Sequence, residues 1–142
     1  MIIVDTTVLI YAVGVDHPLR EPCRNLLVAH AEGRVEVTTT VEVIQEFAHV
    51  RARRRSRADA GALARHFAEA FRLFVTRPED LAAGLALFEQ HATLGALDSV
   101  LAGVALNQGA EALVSADRAF AEVVGLLWID PATRALDRLI GR

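Results

Sequence analysis

The chain of 142 residues contains no lysine, and all 15 of its Lys-plus-Arg positions are arginine. A phosphate-loop lysine and a Schiff-base lysine are therefore excluded. Cys23 is the single cysteine. No disulfide can form within the chain, no cysteine-cluster metal site is possible, and a reducing compartment is the simple reading. Aromatic residues make up only 6% of the sequence, so Ala, Val and Leu must fill the core. No apolar run approaches the length of a membrane span. The opening run Met1-Ile2-Ile3-Val4 is stopped by Asp5, with no basic segment or cleavage site nearby. No signal peptide is read there, and cytoplasm is the default location. A net charge of −3 is mild and names no partner.

Against those absences, 53% of the residues are hydrophobic, enough for one packed domain over residues 1–142. Ile2-Ile3-Val4 reads as a buried strand of a parallel sheet. Thr6 to Val13 follows as a short helix or turn ending near Gly14, and Pro18 to Ala31 as a helix closed by Gly33. Val35 to Val37 is a short strand. Thr38 to Thr40 offer N-caps for a helix running to about Arg54, and a second helix covers about Ala58 to Phe71. Pro78-Glu79-Asp80 opens a helix reaching about His91. Thr93 to Leu97 reads as a loop and Asp98 to Gln108 as a helix stopped by Gly109. Ala112 to Ser115 is a strand, a helical turn lies near Phe120, Leu126 to Ile129 is a last strand, and Pro131 to Leu139 a closing helix. Short buried strands alternating with helices predict an α/β fold around a central parallel sheet.

Three acids stand at element boundaries. Asp5 follows the first strand, Asp98 starts a helix and Asp117 follows the Ser115 strand. Each alone reads either as a helix cap or as a ligand-binding group, because open parallel sheets bind ligands outside the carboxyl ends of their strands. Asp98 begins the helix that leads into the Ser115 strand, which puts it at the opposite end of its own unit unless the preceding loop brings it back. Glu46 has no capping explanation. On the helix around it, Val43, Ile44, Phe47 and Val50 form one apolar stripe, and Glu46 projects about 40 to 60 degrees beyond Val50 and Val43. Glu42 and His49 project further toward solvent. Glu46 is thus either a half-buried ligand or a rim charge, and geometry favours it over Glu42 as the inward one.

Ile3-Val4-Asp5-Thr6-Thr7-Val8-Leu9, Gln45-Glu46-Phe47, Leu97-Asp98-Ser99-Val100-Leu101-Ala102 and Leu113-Val114-Ser115-Ala116-Asp117-Arg118-Ala119-Phe120 resemble the successive motifs of PIN-domain nucleases. Their order and spacing, and the chain length, are similar to the VapC-type toxins of that family. The resemblance implies a PIN-like three-layer sandwich with a central parallel sheet flanked by helices. It implies an acidic pocket of Asp5, Glu46, Asp98 and Asp117 holding Mg²⁺ or Mn²⁺, supported by Thr6 and Ser115. It further implies RNA as substrate, a small VapB-type antitoxin as partner, and a homodimer. Crowded carboxylates repel one another unless a cation or protons intervene, and hard oxygen donors suit Mg²⁺ or Mn²⁺. The expected reaction is in-line attack by metal-activated water, leaving a 5′-phosphate and a 3′-hydroxyl.

The remaining features divide more simply. The five histidines form no metal-binding pair at helical spacing, and His49 is read as a rim residue. Arg51, Arg53, Arg54, Arg55 and Arg57 crowd the end of the Glu46 helix. They serve either the helix dipole or contact with RNA phosphates, and an acidic antitoxin segment could use the same patch. Ala82, Leu85, Ala86 and Phe88, with Leu101, Val104 and Ala105, form apolar helical stripes read as core. A phosphatase of the haloacid-dehalogenase type needs a second acid two residues after the first, where Thr7 stands. The alternative function is a non-catalytic RNA-binding or scaffold protein with a decayed acidic pocket, against which the presence of all four acids argues.

Overall fold

In the computed structural model, which describes residues 1–141, four short strands form one parallel sheet. They are β1 (Ile2–Val4), β2 (Val37–Thr38), β3 (Ala112–Val114) and β4 (Trp128–Ile129), in the order β2-β1-β3-β4. Ile2 lies opposite both Val37 and Ala112, and Val114 opposite both Val4 and Ile129. Every residue of β1 and β3 is buried, as expected for parallel strands covered on both faces. From β1 the chain crosses to β2 on one side and later to β3 on the other. Right-handed crossovers in opposite directions place helices on opposite faces of the sheet. They also put the topological switch between β1 and β3, the place where open α/β sheets bind ligands.

The helices are α1 (Thr6–Val13), α2 (Arg20–Ala31), α3 (Val41–Arg54), α4 (Arg57–Ala70), α5 (Pro78–Gln90), α6 (Ala96–Asn107) and α7 (Arg134–Leu139), with a 3-10 turn at Arg118–Glu122. Their starts follow local chemistry. The Thr40 side chain caps α3 by accepting from Val43 N–H, and Ser56 caps α4 by accepting from Asp59 N–H. Pro78 stands in the first turn of α5, and the buried Asp80 carboxylate accepts from Arg77 N–H at 2.9 Å. Phe47, Phe67 and Phe71 join α3 and α4. Phe47 meets Phe67 edge-on at 5.2 Å, and Phe67 stacks on Phe71 at 5.9 Å.

Several boundaries and one face depart from the sequence expectation. Among the boundaries, α2 starts at Arg20 rather than Pro18, α7 at Arg134 rather than Pro131, and β3 ends at Val114 rather than Ser115. Strand β2 starts at Val37 rather than Val35, because Arg34 N–H and Val35 N–H both turn back to the Ala29 carbonyl to close α2 around Gly33, whose φ is 73°. Strand β4 is shortened to Trp128–Ile129 because Gly125, at φ 83°, reverses the chain and Leu126 N–H bonds back to Val123. Helix α6 begins at Ala96, not Asp98: Gly95 is the extended N-cap, and Ser99 N–H bonds the Gly95 carbonyl. Asp98 is therefore in the first turn and caps nothing. Finally, Leu101, Val104 and Ala105 of α6 are core, but Leu85 and Phe88 of α5 are exposed. The cause is where α5 meets α6. Gly84 presses on the backbone of Val100, and Gly103 on that of Asp80 and Gly84, so closely that a side chain at either position would collide. That small-residue face is the one α5 buries, leaving its larger apolar residues outside.

Candidate active site

Asp5 ends β1 at the switch between β1 and β3. Its carboxylate caps α1 by accepting from Thr7 N–H at 3.0 Å. Oδ1 also accepts the Thr7 hydroxyl at 2.5 Å, and Oδ2 the Ser115 hydroxyl at 2.6 Å. The cap and ligand readings are thus not alternatives: a carboxylate fixed by three donors can still present its remaining lone pairs. Asp5 is only 3% exposed. Burial outweighs those hydrogen bonds and pushes its pKa up to about 6.

Ser115 and Thr7 act as a pair of clasps. The Ser115 hydroxyl accepts from Asp117 N–H at 2.9 Å, and the Thr7 hydroxyl accepts from Ala116 N–H at 3.0 Å. Each hydroxyl ties the turn after β1 to the turn after β3. Asp117 leads the 3-10 turn, is exposed, and accepts from Ala119 N–H at 2.9 Å. Trp128, the single tryptophan, donates its indole N–H to the Ser115 carbonyl at 2.9 Å. The sequence alone does not distinguish Thr7 as a site residue. Its only signal there is a second hydroxyl in a turn that already has Thr6.

Glu46 comes from the middle of α3 and is half-buried; the Thr6 hydroxyl donates to its Oε2 at 2.5 Å. Glu42, one turn earlier, is also half-buried rather than solvated. It accepts the Thr76 hydroxyl at 2.9 Å and lines a different hollow, beside Leu81, Leu85 and Leu97.

Asp98 brings the group together. Burial first, and then the charges of Asp5, Glu46 and Asp117, together push its pKa up to about 7. Four carboxylates from four separate segments therefore act within one field. Which end of its unit Asp98 occupies, left open by the sequence, follows from helix direction. Only Gln108 to Glu111 separate α6 from β3, so α6 must end at the amino edge of the sheet. A helix that ends there starts at the carboxyl edge, beside Asp5.

Among the described residues, no three acidic, histidine or cysteine side chains converge tightly enough to form a ready metal cage. The donor set nonetheless fits a hard divalent cation that keeps several of its own waters, as Mg²⁺ does. Cys23 is no alternative nucleophile. Burial, then the charges of Asp5 and Asp130, push its thiol up to about 12. Asp130 is a fifth acid at the same sheet edge, following Ile129 as Asp5 follows Val4. Its carboxylate caps the next turn through Ala132 N–H at 2.8 Å, and its charge is not among those acting on Asp98.

The arginine patch divides. Arg51, Arg54 and Arg55 line a hollow of about 280 Å³ with Ile10, Gly14 and Val15. Arg51 is held inside the fold, donating to Asp59 at 2.6 Å and to the Val13 carbonyl at 3.2 Å. Arg57 faces another hollow with His49 and Ala52, while Arg53 is exposed outside both.

Comparison with known proteins agrees with this architecture. The PIN domain family matches residues 2–126. The chain is 50% identical to Ribonuclease VapC7 of Mycobacterium tuberculosis over 143 aligned positions, covering 99% of each chain. It is 39% identical over 101 positions to Ribonuclease VapC23 of the same species, covering 69% of this chain and 78% of that one. With the parallel sheet, the four acids at its switch point and near-complete alignment to such a relative, the chain belongs to the PIN-domain family, among its VapC-type members.

Proposed function

We propose that the protein is an endoribonuclease toxin, dependent on Mg²⁺ or Mn²⁺, in which Asp5, Glu46, Asp98 and Asp117 hold the metal. The observation that carries this reading is the place of Asp98, which has the other three acids as its electrostatic neighbours and a pKa raised by burial and by their charges. Such a pocket either takes up protons or takes up cations near neutral pH. A divalent cation bound there supplies the positive charge that lets a phosphodiester approach, and the acidity that makes water nucleophilic at neutral pH.

The chain's own residues prepare for that chemistry. Thr7 and Ser115 fix the Asp5 carboxylate before any ligand arrives, and Thr6 orients Glu46. Preset oxygens need little reorganisation as charge develops at the phosphate. Arg54 and Arg55, on the arginine-lined hollow, hold the RNA backbone, and Arg54 also borders the hollow beside the acids. Non-catalytic binding by a decayed pocket is disfavoured because the acids still share one field.

Two partners follow from the same reading. A small VapB-type antitoxin neutralises the enzyme, and an acidic segment of it can compete for the arginines. A second copy of the chain covers the apolar face of Val41, Leu81, Leu85, Phe88 and Leu97, all more than 40% exposed. No helix of the described residues is long and apolar enough to cross a membrane; the cytoplasm is the proposed site of action.

The deciding experiment is cleavage of mixed RNA by the purified protein. Cleavage is expected with Mn²⁺ or Mg²⁺, none with excess chelator, and 5′-phosphate ends on the products. Undiminished cutting in chelator, or 2′,3′-cyclic phosphate ends, overturns the metal mechanism.

A further inference from the structure

Next to the acids, between α1 and α3, lies a hollow of about 240 Å³. One side carries site residues, Thr6, Thr7 and Glu46; the walls are Ile10, Tyr11 and Val50; Arg54 completes it. The volume is below the roughly 300–1,000 Å³ of drug-sized ligand sites, which suits one flat ring better than a whole nucleotide. Its walls are apolar and aromatic and its floor carries a carboxylate, so the lining favours an uncharged planar group over a phosphate. The Tyr11 ring is already held, stacked on His17 at 4.5 Å with 28° between planes. His17 is in turn steadied by Leu19 N–H donating to its Nδ1 at 3.1 Å. An aromatic wall fixed in this way loses little conformational freedom when a base stacks on it.

Arg54 links this hollow to the next. It and Ile10 line both the hollow beside the acids and the arginine-lined one. Arg51 is committed to Asp59 and Val13, and Arg55 stands close enough to help hold the Asp59 carboxylate ionised. Among the described residues Arg54 enters neither arrangement, which leaves it to meet an anion from outside.

We propose that this hollow is a nucleobase subsite: the base next to the scissile phosphate lies against Tyr11, Ile10 and Val50, and Arg54 takes the phosphate on the far side of that nucleotide. This assignment rests on the RNA-cleaving reading of the acids and adds a source of positional selectivity to it. Stacking of this kind tolerates any base but requires a base, so the subsite distinguishes a splayed strand from a duplex.

The test uses short single-stranded RNAs, each with one abasic residue at a successive position around a mapped cut site, cleaved by the unmodified protein with Mn²⁺. Loss of the base at one position beside the cut should raise KM about tenfold or more with kcat little changed. Tyr11→Leu should raise KM by a similar factor on intact RNA, with no further rise on that abasic RNA. Tyr11→Phe, which keeps the ring, should recover the discrimination. A series in which no abasic position raises KM overturns the subsite, whether or not the variants fold. So does a Tyr11→Leu protein with the same intact-to-abasic ratio as the parent. If the parent cuts no RNA with any divalent cation, the nuclease reading falls first and the subsite with it.

Discussion

Thr6 and Glu46 are 40 residues apart in sequence, yet the Thr6 hydroxyl donates to Glu46 Oε2 at 2.5 Å. The bond joins the turn after β1 to the middle of α3 and turns a rim glutamate into a member of the acid group. Glu46→Gln preserves the acceptor and the shape but removes the charge. It should cut turnover by orders of magnitude. It should also raise the melting temperature of the metal-free protein, since one repelling charge is gone. Glu42→Gln, whose partner is Thr76, should leave both quantities nearly unchanged. Cleavage rates and metal-free melting curves for the two variants decide between them, and an inactive Glu42→Gln would show that the wrong helix face had been chosen.

Thr7 offers a test of positioning. Thr7→Val removes a donor to Asp5 and leaves Ala116 N–H without its acceptor. An orphaned, part-buried N–H costs about 1–3 kcal/mol, which urea denaturation can measure. Looser tethering of Asp5 should also weaken Mn²⁺ binding. Trp128, bonded to the Ser115 carbonyl, provides a fluorescence signal for that titration. Thr7→Ser should restore both stability and affinity. Wild-type Mn²⁺ affinity in Thr7→Val would remove the positioning role.

Stability without metal should depend on pH in a definite direction. Asp5 rises from 3.8 to about 6 and Asp98 from 3.8 to about 7 on folding. Between those values the folded protein binds more protons than the unfolded chain, so stability falls as pH rises through the window. It is fully present below about 4 and lost above about 7. In chelator, the melting temperature should be higher at pH 5 than at pH 8, and Asp98→Asn should flatten much of that difference. Asp59, whose carboxylate is held low by its Arg51 hydrogen bond and by the Arg51 and Arg55 charges, acts only at more acid pH. An unchanged slope in Asp98→Asn would mean that the acids do not share a field.

The exposed face of α5 makes a prediction about assembly. Phe88 is 46% and Leu85 43% exposed, beside Leu81 and Leu97. Sedimentation should find a dimer for the parent and a monomer for Phe88→Glu with Leu85→Glu. Since these positions are exposed, the double variant should keep its fold by circular dichroism. A parent that sediments as a monomer at all concentrations would leave the face to another partner.

Much of the architecture was legible in local chemistry. The β-branched run Ile2-Ile3-Val4, the capping threonine before α3, Pro78 at the start of α5 and Gly33 after α2 each force one local conformation. Periodicity likewise placed Glu46 at the margin of an apolar stripe. Sequence and structure diverge where a boundary depends on contacts made elsewhere. Acids favour caps, so the sequence points to Asp98 as a helix start, but Gly95 takes that place. The sequence points to the apolar residues of α5 as core, because hydrophobicity alone cannot say which face of a helix its neighbour covers. Contact between Gly84 and Gly103 decides that.

By itself, then, the sequence determined the residue types available for chemistry: hard carboxylate oxygens, arginines without lysine, and a single cysteine. It also determined most of the strands and helices, because propensity, capping and periodicity act over a few residues. Only the tertiary structure decided which acids share a field, that Arg51 is spent on Asp59 while Arg54 borders the site, and that Thr7 clasps two turns 109 residues apart. These relations depend on distances across the sheet's switch point. Charge and hydrogen bonding act through space, and the separation of two residues along the chain does not set the distance between them.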